Sequence, residues 1–207
     1  MSPSTNIDAV LFDLGGVLMA IDWRRVFAFW GTHSSLSIEQ MEARFEMDEP
    51  YRRHERGEIS GREYFAHLRE IMEYRGPDAD FIAGWNAILV GEIDDNIAAV
   101  RQVSPTIPIF GLTNTNNTHH AVWSVKHPVL FDLCEEIFVS SKLGMRKPEA
   151  AMFDHVIARI GADPGRILFF DDAHENIAGA KSRGLSTVHV TDPDEVTQGL
   201  RAYQLIP

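Results

Sequence analysis

Asp13, the pair Asp171-Asp172, Lys147 and the pair Thr113-Asn114 are the residues of this chain whose types and placement can do chemistry. Asp13, Thr113-Asn114 and Asp171-Asp172 each lie where a short apolar run ends, and Lys147-Pro148 opens the segment that follows another such run. If the three carboxylates converge, their mutual repulsion raises a pKa or calls for a cation, and a set of hard oxygen ligands suits magnesium. Lys147 adds a fixed positive charge, while the Thr113 hydroxyl and the N–H groups of the turn after it offer donors to a phosphoryl oxygen. Phosphoryl transfer needs these parts. A carboxylate among them can also act as the nucleophile, so that an aspartyl-phosphate divides one hard displacement into two easier ones. Each residue has a local reading as well: Asp13 as a turn cap, Asp171-Asp172 as the N-cap of a helix beginning near His174, Lys147 as a solvated loop residue, and Thr113 as a partner for nearby backbone.

The runs that must position these residues are "IDAVLF", "IPIFGLT", "EIFVS", "RILFF" and "STVHV", starting at residues 7, 107, 136, 166 and 186. The last four follow one another at intervals of roughly 20 to 30 residues, the size of a βαβ unit. In an open parallel sheet ligands bind beyond the carboxyl ends of the strands, where the chosen residues fall. The first gap is far too long for such a unit. Between its ends "DWRRVFAFW", "SIEQMEARFEM", "SGREYFAHLREIMEYRG" and "DADFIAGWNAILV" carry apolar residues at helical spacing. Ser60 and Glu63 form a capping box, and Gly76-Pro77 is expected to end that helix. The fold expected is therefore α/β, a Rossmann-like parallel sheet with a small helical insert after the first strand. Residues 1–20 and 96–207 make the core and residues 21–95 the insert.

The 207 residues are 44% hydrophobic, enough for a sizeable core, and carry a formal net charge of -11. That balance excludes a phosphate-backbone binder, which needs clustered Lys and Arg, so nucleic acid is not an expected partner. Cys134 is the single cysteine and forms no internal disulfide, which fits a core residue in a reducing compartment. The N-terminal residues lack a basic region, and the apolar run after them is broken early by Asp13. No signal peptide or membrane span is expected, and the protein is read as cytoplasmic. No obligate protein partner is evident.

The segments "FDLGGVL", "GLTNTN", "GMRKPEA" and "FFDDAHENIAGA", in this order, resemble the four motifs of the haloacid dehalogenase superfamily. The likeness is to the branch whose helical cap is inserted after the first motif, and it spans nearly the whole chain. With "HERGEIS" in the insert, "LGMRKPEA" is similar to the α-D-glucose-1-phosphate phosphatase group of that superfamily. The resemblance implies that Asp13 is nucleophile and metal ligand, and that the Gly15 carbonyl and the Asp171 carboxylate also hold magnesium. It further implies that Asp172 supports the metal through water or steadies Lys147, that Thr113 and Asn114 bind the phosphoryl oxygens, and that Lys147 screens charge between Asp13 and the phosphate.

One departure stands out. The usual first motif reads Asp-x-Asp, its second aspartate protonating the leaving group and later activating water, but here Gly15 holds that place. An anomeric hydroxyl needs less help to leave, so a sugar 1-phosphate, with α-D-glucose 1-phosphate foremost, is the expected substrate among small phosphorylated metabolites. Two other readings stand beside it: a dehalogenase that attacks carbon with the same aspartate, and a catalytically silent binding module. In the insert, Trp23, Trp30 and Trp85 read as core, and Arg52, Arg53, His54 and Arg56 as a solvated basic face able to steer an anion. His119-His120 lack metal-pair spacing and read as surface or gap-filling residues.

Overall fold

A computed structural model describes residues 6–207. The central sheet holds β1 (Ala9–Phe12), β4 (Ile109–Thr113), β5 (Glu136–Val139), β6 (Ile167–Asp171) and β7 (Ser186–His189), in the order β5-β4-β1-β6-β7. All four pairings are parallel. The five strands fall on the five apolar runs. β1 is apolar throughout because both of its faces are covered, the pattern of a buried parallel strand. Val10 and Phe12 face one side with Leu168 and Phe170, and Ala9 and Leu11 face the other with Phe169.

The helices that cover the sheet are α6 (Asp94–Val100), α7 (Asn117–Lys126), α8 (Val129–Leu133), α9 (Ser140–Leu143), α10 (Ala150–Ile160), α11 (His174–Ser182) and α12 (Asp194–Ala202). Ile97 of α6 and Val196 and Leu200 of α12 pack on the Val10–Phe12 face. Met152, Phe153 and Val156 of α10 and Ile177 of α11 pack on the other.

Between β1 and α6 the chain forms β2 (Met19–Ile21), five helices and β3 (Leu89–Glu92). The helices are α1 (Trp23–Trp30), α2 (Ile38–Arg44), α3 (Glu49–Glu55), α4 (Gly61–Ile71) and α5 (Asp78–Asn86). β2 and β3 pair antiparallel and tie the two ends of the helical segment together. The five helices enclose their own aromatic core, in which Trp30 stacks on Phe81 with centroids 4.3 Å apart and donates from Nε1 to the Phe81 carbonyl at 2.9 Å. Gly84 permits that packing, because a Cβ there would stand 2.5 Å from the Trp30 ring.

Two details of the insert differ from the sequence expectation. The capping box at Ser60 and Glu63 forms, but α4 ends at Ile71, before Gly76-Pro77: Glu73 takes φ 47 and Tyr74 turns into the core. Helical periodicity also extends "DADFIAGWNAILV" too far, since α5 stops at Asn86 and Leu89-Val90 enter the ribbon. Pairing with a distant segment overrides local propensity there. No helix among the described residues is long and apolar enough to cross a membrane.

Candidate active site

β4, β1 and β6 are neighbours, and their register decides what meets at the carboxyl edge. Phe12 aligns with Phe170, and the Asp13 N–H donates to the Phe170 carbonyl at 2.8 Å, so Asp13 and Asp171 emerge side by side. Thr113 ends β4 on the other flank of β1. After Asp13 the chain turns at Gly16, which takes φ +77. A Cβ at that glycine would sit 2.2 Å from Oδ2 of Asp172, so the turn brings bare backbone against the carboxylate.

Lys147 joins the group from the segment before α10. Its side chain is fully buried, and the ammonium lies 2.9 Å from Oδ2 of Asp13 and 2.6 Å from Oδ2 of Asp171. Burial opposes that charge, yet the two carboxylates outweigh it and hold the ammonium above its ordinary pKa. Burial pushes Asp13 well above the usual carboxylate range; Lys147 pulls it back, and Asp171 and Asp172 push it further up. Asp172 is raised as well, by partial burial and then by Asp171.

One oxygen from each of Asp13, Asp171 and Asp172 falls within a cluster whose members lie within 4.8 Å of one another. With three carboxylates against one ammonium, two negative charges are left without a partner among the described residues, and the donors are all hard oxygens. That set fits a divalent magnesium ion. Asp172 takes no ion pair among the described residues and stays open at the rim, while Gly15 lines the same cleft.

Residues that sequence reasoning passed over hold the cluster in place. Oδ1 of Asp171 accepts from the Ala173 N–H at 2.8 Å and from Nδ2 of Asn176 at 2.9 Å. Asn176 therefore orients Asp171. Of the two carboxylates it is Asp171, the last residue of β6, that points into Lys147, while Asp172 is one residue further and turned toward Gly16. Asn114 is placed differently from a simple phosphate donor, since Nδ2 donates to the Lys147 carbonyl and Oδ1 accepts from the Lys147 N–H, both at 2.8 Å. It clamps the lysine's backbone. The side chains of Asp171 and Asp172 do not cap α11, whose N-cap residue is Ala173.

The cleft above the carboxylates has a volume of about 350 Å³ and lies between the sheet edge and the helical insert. Glu55 of α3 and Arg146, next to Lys147, span it with an Nε–Oε2 bond of 2.7 Å. The pair is separated by 91 residues and has no local signature. The expected basic face is not free: Arg56 pairs with Glu49, Glu58 and Glu149, and Arg53 with Glu58. His54 is buried against Tyr64, with ring centroids 4.6 Å apart, and neither ring nitrogen has a hydrogen-bond partner among the described residues.

His119 is a buried cleft residue. Its Nε2 lies 3.1 Å from the Trp85 carbonyl and its Nδ1 3.0 Å from Nδ2 of Asn116, an arrangement that suits the neutral Nε2–H tautomer. Burial lowers both histidines to about 4. Trp30 and Trp85 are core as expected, while Trp23 lines the cleft. Cys134 is buried, which pushes its thiol up to about 12.

Residues 7–184 match the model of the haloacid dehalogenase-like hydrolases, and the chain belongs to that family. It is 29% identical to the sesquiterpene phosphatase astK of Aspergillus oryzae over 91% of this chain and 92% of that protein. It is 24% identical to the D-ribitol-5-phosphate phosphatase of Bacteroides thetaiotaomicron over 87% and 90% of the two chains. Among solved structures, a haloacid dehalogenase-family enzyme from Bacteroides thetaiotaomicron, in complex with magnesium and inorganic phosphate, superposes with a TM-score of 0.76. It is 28% identical, over 89% of this chain and 94% of that one.

Proposed function

We propose that this protein is a magnesium-dependent phosphomonoesterase in which Asp13 is the nucleophile and residues 21–95 act as a cap over the sheet edge. The reading is carried by the Asp13–Lys147–Asp171 chain of contacts, 2.9 and 2.6 Å long, with Asp172 beside it at the rim. Asp13, Asp172 and the Gly15 carbonyl would hold the magnesium, with Asp171 behind them. When bound, the ion neutralises charge on the phosphoryl group and lets the anionic ester approach a carboxylate.

Asp13 attacks phosphorus while Lys147 keeps the carboxylate in position and offsets charge on the transferring oxygens. The Thr113 hydroxyl, at the end of β4, binds one of those oxygens, while the Thr115 N–H is held by Oγ of Ser140. Asn114 serves the step by fixing Lys147, and Asn176 by fixing Asp171. Water then resolves the aspartyl-phosphate and frees Asp13. The cap closes the cleft from the helical side, with Glu55–Arg146 joining its two halves, and limits entry of bulk water.

The substrate is a small phosphorylated metabolite. The missing acid at Gly15 supports an acidic leaving hydroxyl, as in a sugar 1-phosphate such as α-D-glucose 1-phosphate. The similarity to a D-ribitol-5-phosphate phosphatase supports a polyol phosphate, and that to a sesquiterpene phosphatase an apolar one. The lone buried Cys134 supports a reducing, cytoplasmic setting. Phosphate release from p-nitrophenyl phosphate and a panel of sugar phosphates, with magnesium or EDTA, tests the reading. Magnesium-dependent release that disappears in Asp13→Asn is expected; release that persists in EDTA or in Asp13→Asn contradicts it.

A further inference from the structure

The charged end of the cleft gives way to apolar walls. Met19, Ile21, Trp23, Met47, Ile88 and Leu89 line its helical side, and Ile21 and Met47 remain 38% and 47% exposed. Exposed apolar side chains beside a charged centre are a feature that a ligand can cover. Few polar groups are free on this side for the hydroxyls of a sugar, because Glu55 accepts from Arg146 and His119 is bonded at both ring nitrogens. The volume of about 350 Å³ is that of a small-molecule site, and the exposed Ile21 and Met47 form the apolar part of its lining that faces solvent.

A second observation limits the leaving group. With Gly15 in place of the acid, nothing at that position protonates an alkoxide. A phosphoanhydride has no such need, since its departing oxygen belongs to a phosphate that is stable as an anion. Arg146 supplies the third observation. Its Nε donates to Glu55, its Nη groups make no hydrogen bond among the described residues, and the side chain lines the cleft next to Lys147. A guanidinium with free N–H groups suits a second phosphate.

We infer that the cleft accepts the diphosphate ester of an apolar, prenyl-type alcohol, and that Asp13 removes its terminal phosphoryl group. This further activity rests on the reading of Asp13 as nucleophile given above. A carboxylate oxygen of Asp13 bonds to the terminal phosphorus, and the bond to the bridging oxygen breaks. The electron pair leaves with that oxygen on the alkyl monophosphate, which Arg146 holds, and no proton is consumed. Water then attacks the aspartyl-phosphate and the bond from phosphorus to the Asp13 oxygen breaks. One proton of the water stays on inorganic phosphate and the other goes to solvent. Ile21, Trp23 and Met47 grip the hydrocarbon.

The test compares farnesyl diphosphate, farnesyl monophosphate, glucose 1-phosphate and p-nitrophenyl phosphate with the full chain and magnesium, following products by phosphorus NMR. Farnesyl diphosphate should exceed farnesyl monophosphate and glucose 1-phosphate in kcat/KM by about tenfold or more. It should yield farnesyl monophosphate and inorganic phosphate in equal amounts. Arg146→Met should lower the preference for diphosphate over monophosphate. Ile21→Asn, at a partly exposed wall position, should raise KM for farnesyl diphosphate more than for p-nitrophenyl phosphate. Glucose 1-phosphate or farnesyl monophosphate turned over as well as the diphosphate, or intact pyrophosphate released, overturns the inference while p-nitrophenyl phosphate hydrolysis keeps the underlying phosphatase. Loss of p-nitrophenyl phosphate hydrolysis overturns both.

Discussion

At the sheet end of the cleft Lys147 lies fully buried between Asp13 and Asp171, and its ammonium keeps its charge. At the helical end His54 and His119 are also buried, yet burial strips them of theirs, lowering both to about 4. Partners make the difference. Lys147 meets two carboxylates, whereas His54 meets aromatic rings and His119 meets a carbonyl and an amide. A buried ion survives only where opposite charge and hydrogen bonds replace its water. The sheet end is thus an electrostatic device left short of positive charge, and the helical end a neutral apolar wall.

The contrast can be broken most severely at Asp13. Asp13→Asn should reduce kcat on p-nitrophenyl phosphate by about 10³-fold or more, since loss of a nucleophile leaves only binding to act. Steady-state kinetics checks this. Lys147→Met removes the one cation from the cluster and leaves buried carboxylates unpaired. A cost of about 3–5 kcal/mol is expected for breaking a buried ion pair, read as a lower urea midpoint without magnesium.

The helical end should respond to acid. An unfolded histidine binds a proton near pH 6.5, but the folded protein refuses it until about 4, so the unfolded state gains protons in between and stability falls as pH drops through that window. The shift corresponds to about 3 kcal/mol for each histidine at its acid limit. Thermal melts between these pH values should show the loss, and His54→Phe should shrink it; an unchanged pH dependence in that variant would count against a buried neutral His54.

The sheet end has the opposite sign. Asp13 and Asp172 have raised folded pKa values, so their contribution is present at low pH and is lost as pH rises through those values. Magnesium should therefore stabilise the protein, and more at neutral than at acid pH. At a hundred times its Kd the gain is about 2.7 kcal/mol, measurable as an increase in Tm that Asp172→Asn diminishes. The smallest expected effect is that of Asn176→Ala, which removes one bond to buried Asp171. About 1–3 kcal/mol of stability should be lost, together with some kcat through the displaced carboxylate.

Much of the sheet end was legible in the sequence because its information is local. Short apolar runs punctuated by Asp13, Thr113 and Asp171 mark strands and the residues at their ends, and the parallel arrangement gathers those ends on one edge. What the runs do not encode is register, and the adjacency of Asp13 and Asp171 depends on Phe12 aligning with Phe170. Asn176 was within reach: five residues after Asp171, in the first turn of α11, it is placed to bond back to the strand end. The Glu55–Arg146 pair and the burial of His119 were not, because each depends on the insert folding back over the sheet. β2 was hidden by its three-residue length, and β3 by an apolar pattern continuous with that of α5.

Whether Asp13 carries the phosphoryl group is decided by acid-quenching the protein during turnover of p-nitrophenyl phosphate with magnesium and mapping its peptides by mass spectrometry. One phosphoryl group is expected on the peptide containing Asp13, absent when EDTA replaces magnesium and absent in Asp13→Asn. Turnover with that peptide unmodified at every quench time, or a phosphoryl group on another residue, would contradict a nucleophilic Asp13.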